Sequence, residues 1–182
     1  MSTASAVTTG TWALDASHTE IGFTVRHLMS KVRGKFETFE GTITSNDDIT
    51  LSTVNVTVDL SSVNTGTADR DAHLRSGDFF SAEEHPTMTF VSTGVSVKDD
   101  NEFAVAGDLT IKGITKSIVL DTELLGEGGD PWGGTRVGLE ATTSISRKEF
   151  GIDFNIPVDG ADKLMIGDKI TINIVAEAVL QA

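Results

Sequence analysis

The chain has no cysteine, no tyrosine and only three prolines in 182 residues. Without cysteine there is no disulfide, no thiol nucleophile and no zinc site built on thiolates. Positive charge is scarce too: 14 Lys and Arg stand against 27 Asp and Glu, for a net charge of −13. An acidic field repels nucleic acid and anionic membrane surfaces, so neither is an expected partner, and the acidity reads first as solubility. No stretch approaches the roughly 18 consecutive apolar residues that would cross a bilayer as a helix, so no integral membrane segment is expected. The opening M-S-T-A-S-A-V-T-T-G lacks a basic start and an apolar core. It does not read as a signal peptide, and a cytoplasmic location is expected unless a leader was removed.

What the chain does have is alternation. Thr19 to His27 reads T-E-I-G-F-T-V-R-H, with Ile21, Phe23 and Val25 on one face and Glu20, Thr24 and Arg26 on the other. That is the period of a strand with one dry side. The beat recurs over Lys31–Ile43, Leu51–Leu60, Thr87–Val97, Asn101–Lys112, Lys116–Leu125, Thr135–Arg147 and Asp168–Leu180, after a short strand at Trp12–Leu14. Gly34 and Gly41 are expected bend points. Two stretches break the rhythm. Residues 61–86 contain a short predicted helix near Thr67–Arg75 and a weak capping box, Ser81 with Glu84. Residues 151–167 look irregular. The length suits one domain with a full core.

About eight long strands joined mostly by short turns predict an all-β chain with antiparallel neighbours. Closing the sheet into a single barrel removes exposed edges; a two-sheet sandwich is the rival. Ten to twelve residues at about 3.3 Å each, tilted by about 40°, make a barrel on the order of 25–30 Å tall. That is deep for side chains alone to fill.

Several stretches carry a resemblance. They are W-A-L-D-A-S-H-T-E-I-G-F-T-V-R-H from Trp12, V-R-G-K-F-E-T-F-E-G from Val32 and R-D-A-H-L-R-S-G-D-F-F from Arg70, followed by H-P-T-M-T-F. G-D-L-T-I-K-G-I-T-K from Gly107 and S-R-K-E-F-G from Ser146 complete the set. In this order they resemble the YceI-like family of bacterial lipid-binding proteins. Residues 1–11, mostly small and polar, read as a flexible tail, and the resemblance implies a lipocalin-like barrel over 12–182. It also implies a polyisoprenoid or similar long-chain lipid in the lumen, for carriage, storage or sequestration, and a possible homodimer. No cofactor is expected.

Parity names the lumen lining: Ile21, Phe23, Val25, His27, Phe36, Val54, Val56, Val58, Phe90, Leu109, Ile111, Leu120, Leu139 and Ile172. In an arbitrary small barrel these would meet one another; depth and resemblance together favour a hollow. Two polar residues share the inward parity. His27 and Arg147 are either headgroup donors at a mouth or satisfied structural groups, with Arg147 paired to an acid such as Asp71. Arg70, Asp71 and His73 form either a latch for the long connection or a headgroup site; the latch is favoured. Phe79 and Phe80 read as a plug.

Other functions find less support. The four histidines, His18, His27, His73 and His85, fit no compact metal motif, so no metal is expected. No G-x-S-x-G elbow occurs, and no catalytic residue is assigned. An enzyme acting on a hydrophobic substrate in the barrel, and a ligand-free stress protein, stay open as alternatives. Lys31, Arg33 and Lys35 make a basic stripe, read as the wet face of a strand or as a surface for an acidic partner or phosphate.

Overall fold

A computed structural model describes residues 7–155 and 166–182. The elements are β1 (Gly10–Leu14), β2 (Glu20–His27), β3 (Ser30–Phe36), β4 (Phe39–Ser45), β5 (Thr53–Asp59), β6 (Val63–Asn64), α1 (Ala68–Arg75), β7 (Thr87–Asp99), β8 (Glu102–Ile111), β9 (Ile114–Gly129), β10 (Thr135–Ser146) and β11 (Ile166–Leu180). Every pairing is antiparallel.

These strands combine into an eight-stave closed barrel. β1 and β2 lie end to end along β11, with Trp12 opposite Leu180 and Ile21 opposite Ile174. β3 and β4 run back along them, and β5 and β6 follow in turn. The pairing of β1 with β11 closes the ring. The joints within the broken staves are short capped turns. Asp15 accepts from the Ser17 amide at one, and Asp59 accepts from the Ser61 amide at another.

The expected single strand Lys31–Ile43 is two strands, and its bend falls at Glu37 and Thr38. Gly34 and Gly41 are not bend points. They sit inside strands, where the side chains of Phe23 and Leu14 lie across them and leave no room for a Cβ. Ser81 and Glu84 do not form a capping box. The Glu84 and His85 amides both donate to the Ser81 carbonyl, at 3.0 and 2.8 Å, so a backbone turn does that work. The glycine-rich stretch G-E-G-G-D-P-W-G-G, residues 126–134, is only partly loop, because β9 continues to Gly129. Asp130 then closes the turn by accepting from the Trp132 and Gly134 amides.

Part of the expected tail, residues 1–6, and most of the irregular stretch, residues 156–165, lie outside the described residues. Gly10 and Thr11 belong to β1, and Thr8 is tied to Glu127 through its amide and hydroxyl. The helix expected near Thr67–Arg75 is α1.

The barrel has two unlike ends. At one, fully buried Trp12 packs with Phe103, Leu124, Val137 and Ala178, and its indole N–H donates to Ser45 Oγ at 3.1 Å. At the other, the connection from β6 to β7 lays Leu74, Phe79 and Phe80 against Phe36, Phe150 and Ile152. Among the described residues no helix is long and apolar enough to cross a membrane.

Candidate functional site

Between the two ends runs a hollow in two chambers, of about 220 and 130 Å³. They share Ile21, Met88 and Ile172 as walls, so the two adjoin. All fourteen expected lining residues are placed on it. Ile21, Phe23, Val25, His27, Phe36, Ile111 and Ile172 line the outer chamber. Val54, Val56, Val58, Phe90, Leu109, Leu120 and Leu139 line the inner one, with Ile21 and Ile172 again. The inner lining is otherwise aliphatic or aromatic apart from Thr42 and Thr122.

The width of the hollow depends on glycine. Phe23 lies directly across from Gly34, and Phe90 lies across Gly107, each ring against the wall where a Cβ would be. A bulge between Ser92 and Gly94 shifts the register of β7. Inward parity therefore passes from Met88 and Phe90 to Val95, which reading alternation straight through Gly94 does not reveal.

Polar groups gather at the outer chamber. Arg147 is 3% exposed and fully engaged. Its guanidinium donates to the carbonyls of Gly167 (2.9 Å), Ile152 (2.7 Å) and Phe154 (2.8 Å), with Asp168 at 3.6 Å. Burial lowers its pKa, and the facing acids Asp168 and Asp153 offset part of that effect. The expected pairing with Asp71 does not occur, because Asp71 lies on α1 and turns to Thr65. Arg147 instead clamps the start of β11 to the segment after β10.

Arg70, Asp71 and His73 act locally. Asp71 accepts from the Thr65 amide at 2.8 Å and from its hydroxyl. Arg70 donates Nε to Thr65 Oγ1 and Nη2 to the Thr65 carbonyl, both at 2.7 Å. Two neighbouring side chains thus tie α1 to the end of β6, which is a latch geometry. His73 meets Asp78 at 2.9 Å, and its ring stands edge-on to Phe79 and Phe154. Asp71 and His73 therefore do not face each other. Arg70 and His73 also line the outer chamber, whereas Asp71 does not. The ring of His27 makes no hydrogen bond among the described residues, and Arg70 keeps Nη1 unbonded there. At the outer chamber these two have donors to spare.

One group of possible metal ligands occurs among the described residues: Asp15, His18 and Glu177, at the Trp12 end. Arg136 already sits in it, 2.6 Å from Asp15 and 3.2 Å from Glu177. Its guanidinium, with His18, holds the Asp15 carboxyl well below the usual range. Asp15 and Asp130 in turn push the Arg136 pKa upward. The acids are answered by a side chain.

Sequence reading missed Phe150, which ends a 3-10 turn, and Ile152 and Phe154 just beyond it, all of which wall the outer chamber. Their alternation with Gly151 and Asp153 was the available signal. Met88, Val105 and Ile118 also line the inner chamber.

Comparison with known proteins follows the same lines. The YceI-like domain profile matches residues 12–178. A UPF0312 protein of Photorhabdus laumondii is 41% identical over 157 residues, covering 85% of this chain and 79% of that protein. Protein YceI of Escherichia coli O157:H7 is 43% identical over 140 residues, 76% of this chain and 73% of the relative. Among solved structures, the Campylobacter jejuni YCEI protein superposes with a TM-score of 0.73 at 32% identity, covering 93% of this chain and 97% of that one. A polyisoprenoid-binding domain from Saccharophagus degradans superposes at 0.69 with 16% identity, covering 93% and 98%; that likeness concerns the fold.

Proposed function

For this chain, which belongs to the YceI-like family, we propose that the hollow holds a polyisoprenoid or similar long-chain amphiphilic lipid, for carriage, storage or sequestration. One observation carries the reading: the hollow is elongated, and its polarity is graded along its length. The deep chamber is almost wholly apolar, while His27, Arg70 and His73 stand at the outer one. The tail points towards Trp12, and the headgroup sits under α1. The barrel that the Saccharophagus degradans polyisoprenoid-binding domain shares supports the same class of ligand.

The energetics suit a chain with few polar demands. Each buried CH₂ contributes about 0.8 kcal/mol before costs, so a few isoprene units supply ample gross driving force. Ordering a flexible chain opposes much of it. Affinity then depends on buried length more than on particular contacts, and tolerance of chain length is broad. The role is binding rather than catalysis: Arg147 has its donors committed to carbonyls, and Asp71 and His73 turn apart.

Organic extraction of freshly purified protein, followed by mass spectrometry, tests this directly. A long-chain lipid in the extract, or uptake of added polyprenyl chains by emptied protein, is the expected result. Protein that carries no lipid and takes up none overturns the reading.

A further inference from the structure

The turn joining β2 to β3 lies at the outer end of the hollow, where Val25, His27 and Val32 form part of the wall. Its outside surface is unlike the rest of the chain. From Ile21 to Phe36 there is no Asp or Glu, although the whole chain carries 27. The same stretch holds Arg26, Lys31, Arg33 and Lys35, all exposed. Arg26 lies directly opposite Lys31, Thr24 opposite Arg33 and Gly22 opposite Lys35, so the four cations share the outer face of adjacent strands. Like charges placed opposite each other disfavour a sheet. None of the four has an ion pair among the described residues.

The tip adds a second oddity. His27 pairs with Ser30, leaving Leu28 and Met29 as a two-residue turn. Leu28 has φ of 54°, a left-handed conformation that glycine takes without steric cost at the first position of such a turn. A leucine and a methionine stand there instead, with Leu28 45% exposed and Met29 fully exposed. Turning the chain does not require apolar side chains in water.

We propose that this hairpin docks the mouth of the barrel on an anionic phospholipid bilayer, with Leu28 and Met29 in the headgroup–acyl boundary and the four cations on lipid phosphates. An apolar tip flanked by cations fits that interface and no purely aqueous one. The net charge of −13 does not forbid it. Charge is screened over about 8 Å at physiological salt, so the bilayer meets the local patch, and the distant acids favour a mouth-first approach. The functional consequence rests on the lipid reading above: a chain passes between bilayer and hollow without crossing water. The docking itself rests on the hairpin alone.

The test is co-sedimentation of the full chain with phosphatidylcholine vesicles and with vesicles of phosphatidylcholine plus phosphatidylglycerol. Recovery with the anionic vesicles is expected, weakening as salt rises. Met29→Asp, and the pair Lys31→Glu with Arg33→Glu, each cut vesicle affinity about tenfold or more. Lys98→Glu, at the Trp12 end, leaves it unchanged. No binding, equal binding to both vesicle types, or binding indifferent to the hairpin substitutions overturns the proposal. Extraction of the same samples separates the two readings. Lipid inside a protein that ignores vesicles sinks only the docking, and docked protein with nothing inside sinks only the lipid hollow.

Discussion

Phe23 and Gly34 face each other across β2 and β3, and the Phe23 ring occupies the place of the missing Cβ. This is an aromatic ring covering a strand glycine. It keeps the ring flat on the wall and the outer chamber open. The three nearest atoms that an added Cβ would meet belong to side chains, of Phe23 and Thr65. Gly34→Val therefore folds, but drives Phe23 into the chamber and reduces lipid uptake by an order of magnitude or more. At Gly107 the obstacle includes the Val91 carbonyl, at 2.7 Å. There even Gly107→Ala lowers stability, because backbone has to move. Urea midpoints and polyprenyl uptake on the two variants separate the cases; equal stability losses at both positions would refute the distinction.

Arg147 is a clamp, so its loss should register in stability. Arg147→Met strands several buried carbonyls and is expected to cost about 3 kcal/mol. Arg147→Lys recovers little, since an ammonium cannot reproduce the planar fork that reaches Gly167, Ile152 and Phe154. Denaturant titration reads both. A methionine variant as stable as the parent would remove the clamp from the account.

Trp12 offers an internal gauge of how deep a ligand reaches. The chain has two tryptophans, Trp12 buried at the floor and Trp132 largely exposed. In Trp132→Phe the remaining fluorescence comes from the floor. A lipid brominated near its tail end should quench it strongly, and one brominated near its headgroup weakly. The reverse order would place the headgroup at the Trp12 end.

The network around Arg136 predicts acid sensitivity. Arg136 and His18 lower the pKa of Asp15, and the Gly134 amide with Arg136 lowers that of Asp130. A carboxyl with a depressed folded pKa stabilises the fold above its unfolded value and loses that contribution as pH falls through the folded one. The stability gap between the parent and Arg136→Met should thus be constant from neutral pH down to about pH 5 and narrow below about pH 4. The Arg136 guanidinium also lies 5.5 Å from the centre of the Trp132 ring, and a gap unchanged to pH 2 in urea titrations would mean that this contact, not the carboxylates, is what Arg136 contributes.

Some of the hollow was legible from alternation and some was not. Val54, Val56 and Val58 lie in an uninterrupted strand, where period two maps straight onto inside and outside. Val95 lies beyond a bulge and Phe150 in a 3-10 turn, where the period no longer applies. Arg147 illustrates the other limit. Its inward parity marked it as buried, but its hydrogen-bond partners are the carbonyls of residues 152, 154, 166 and 167, which no side-chain pattern announces.

Taken alone, the order of residues determined that this chain makes long antiparallel strands with one dry face, and which family they fall in. The strand pattern is local and follows from the pleat and from the turn residues; the family follows from the motifs that begin at Trp12, Val32, Arg70, Gly107 and Ser146. The tertiary structure decided which end is shut by Trp12, which end carries unspent donors, and that an apolar turn and four cations flank that end. Each of these depends on staves far apart in sequence meeting around a ring, and on bulges that reset parity along the way.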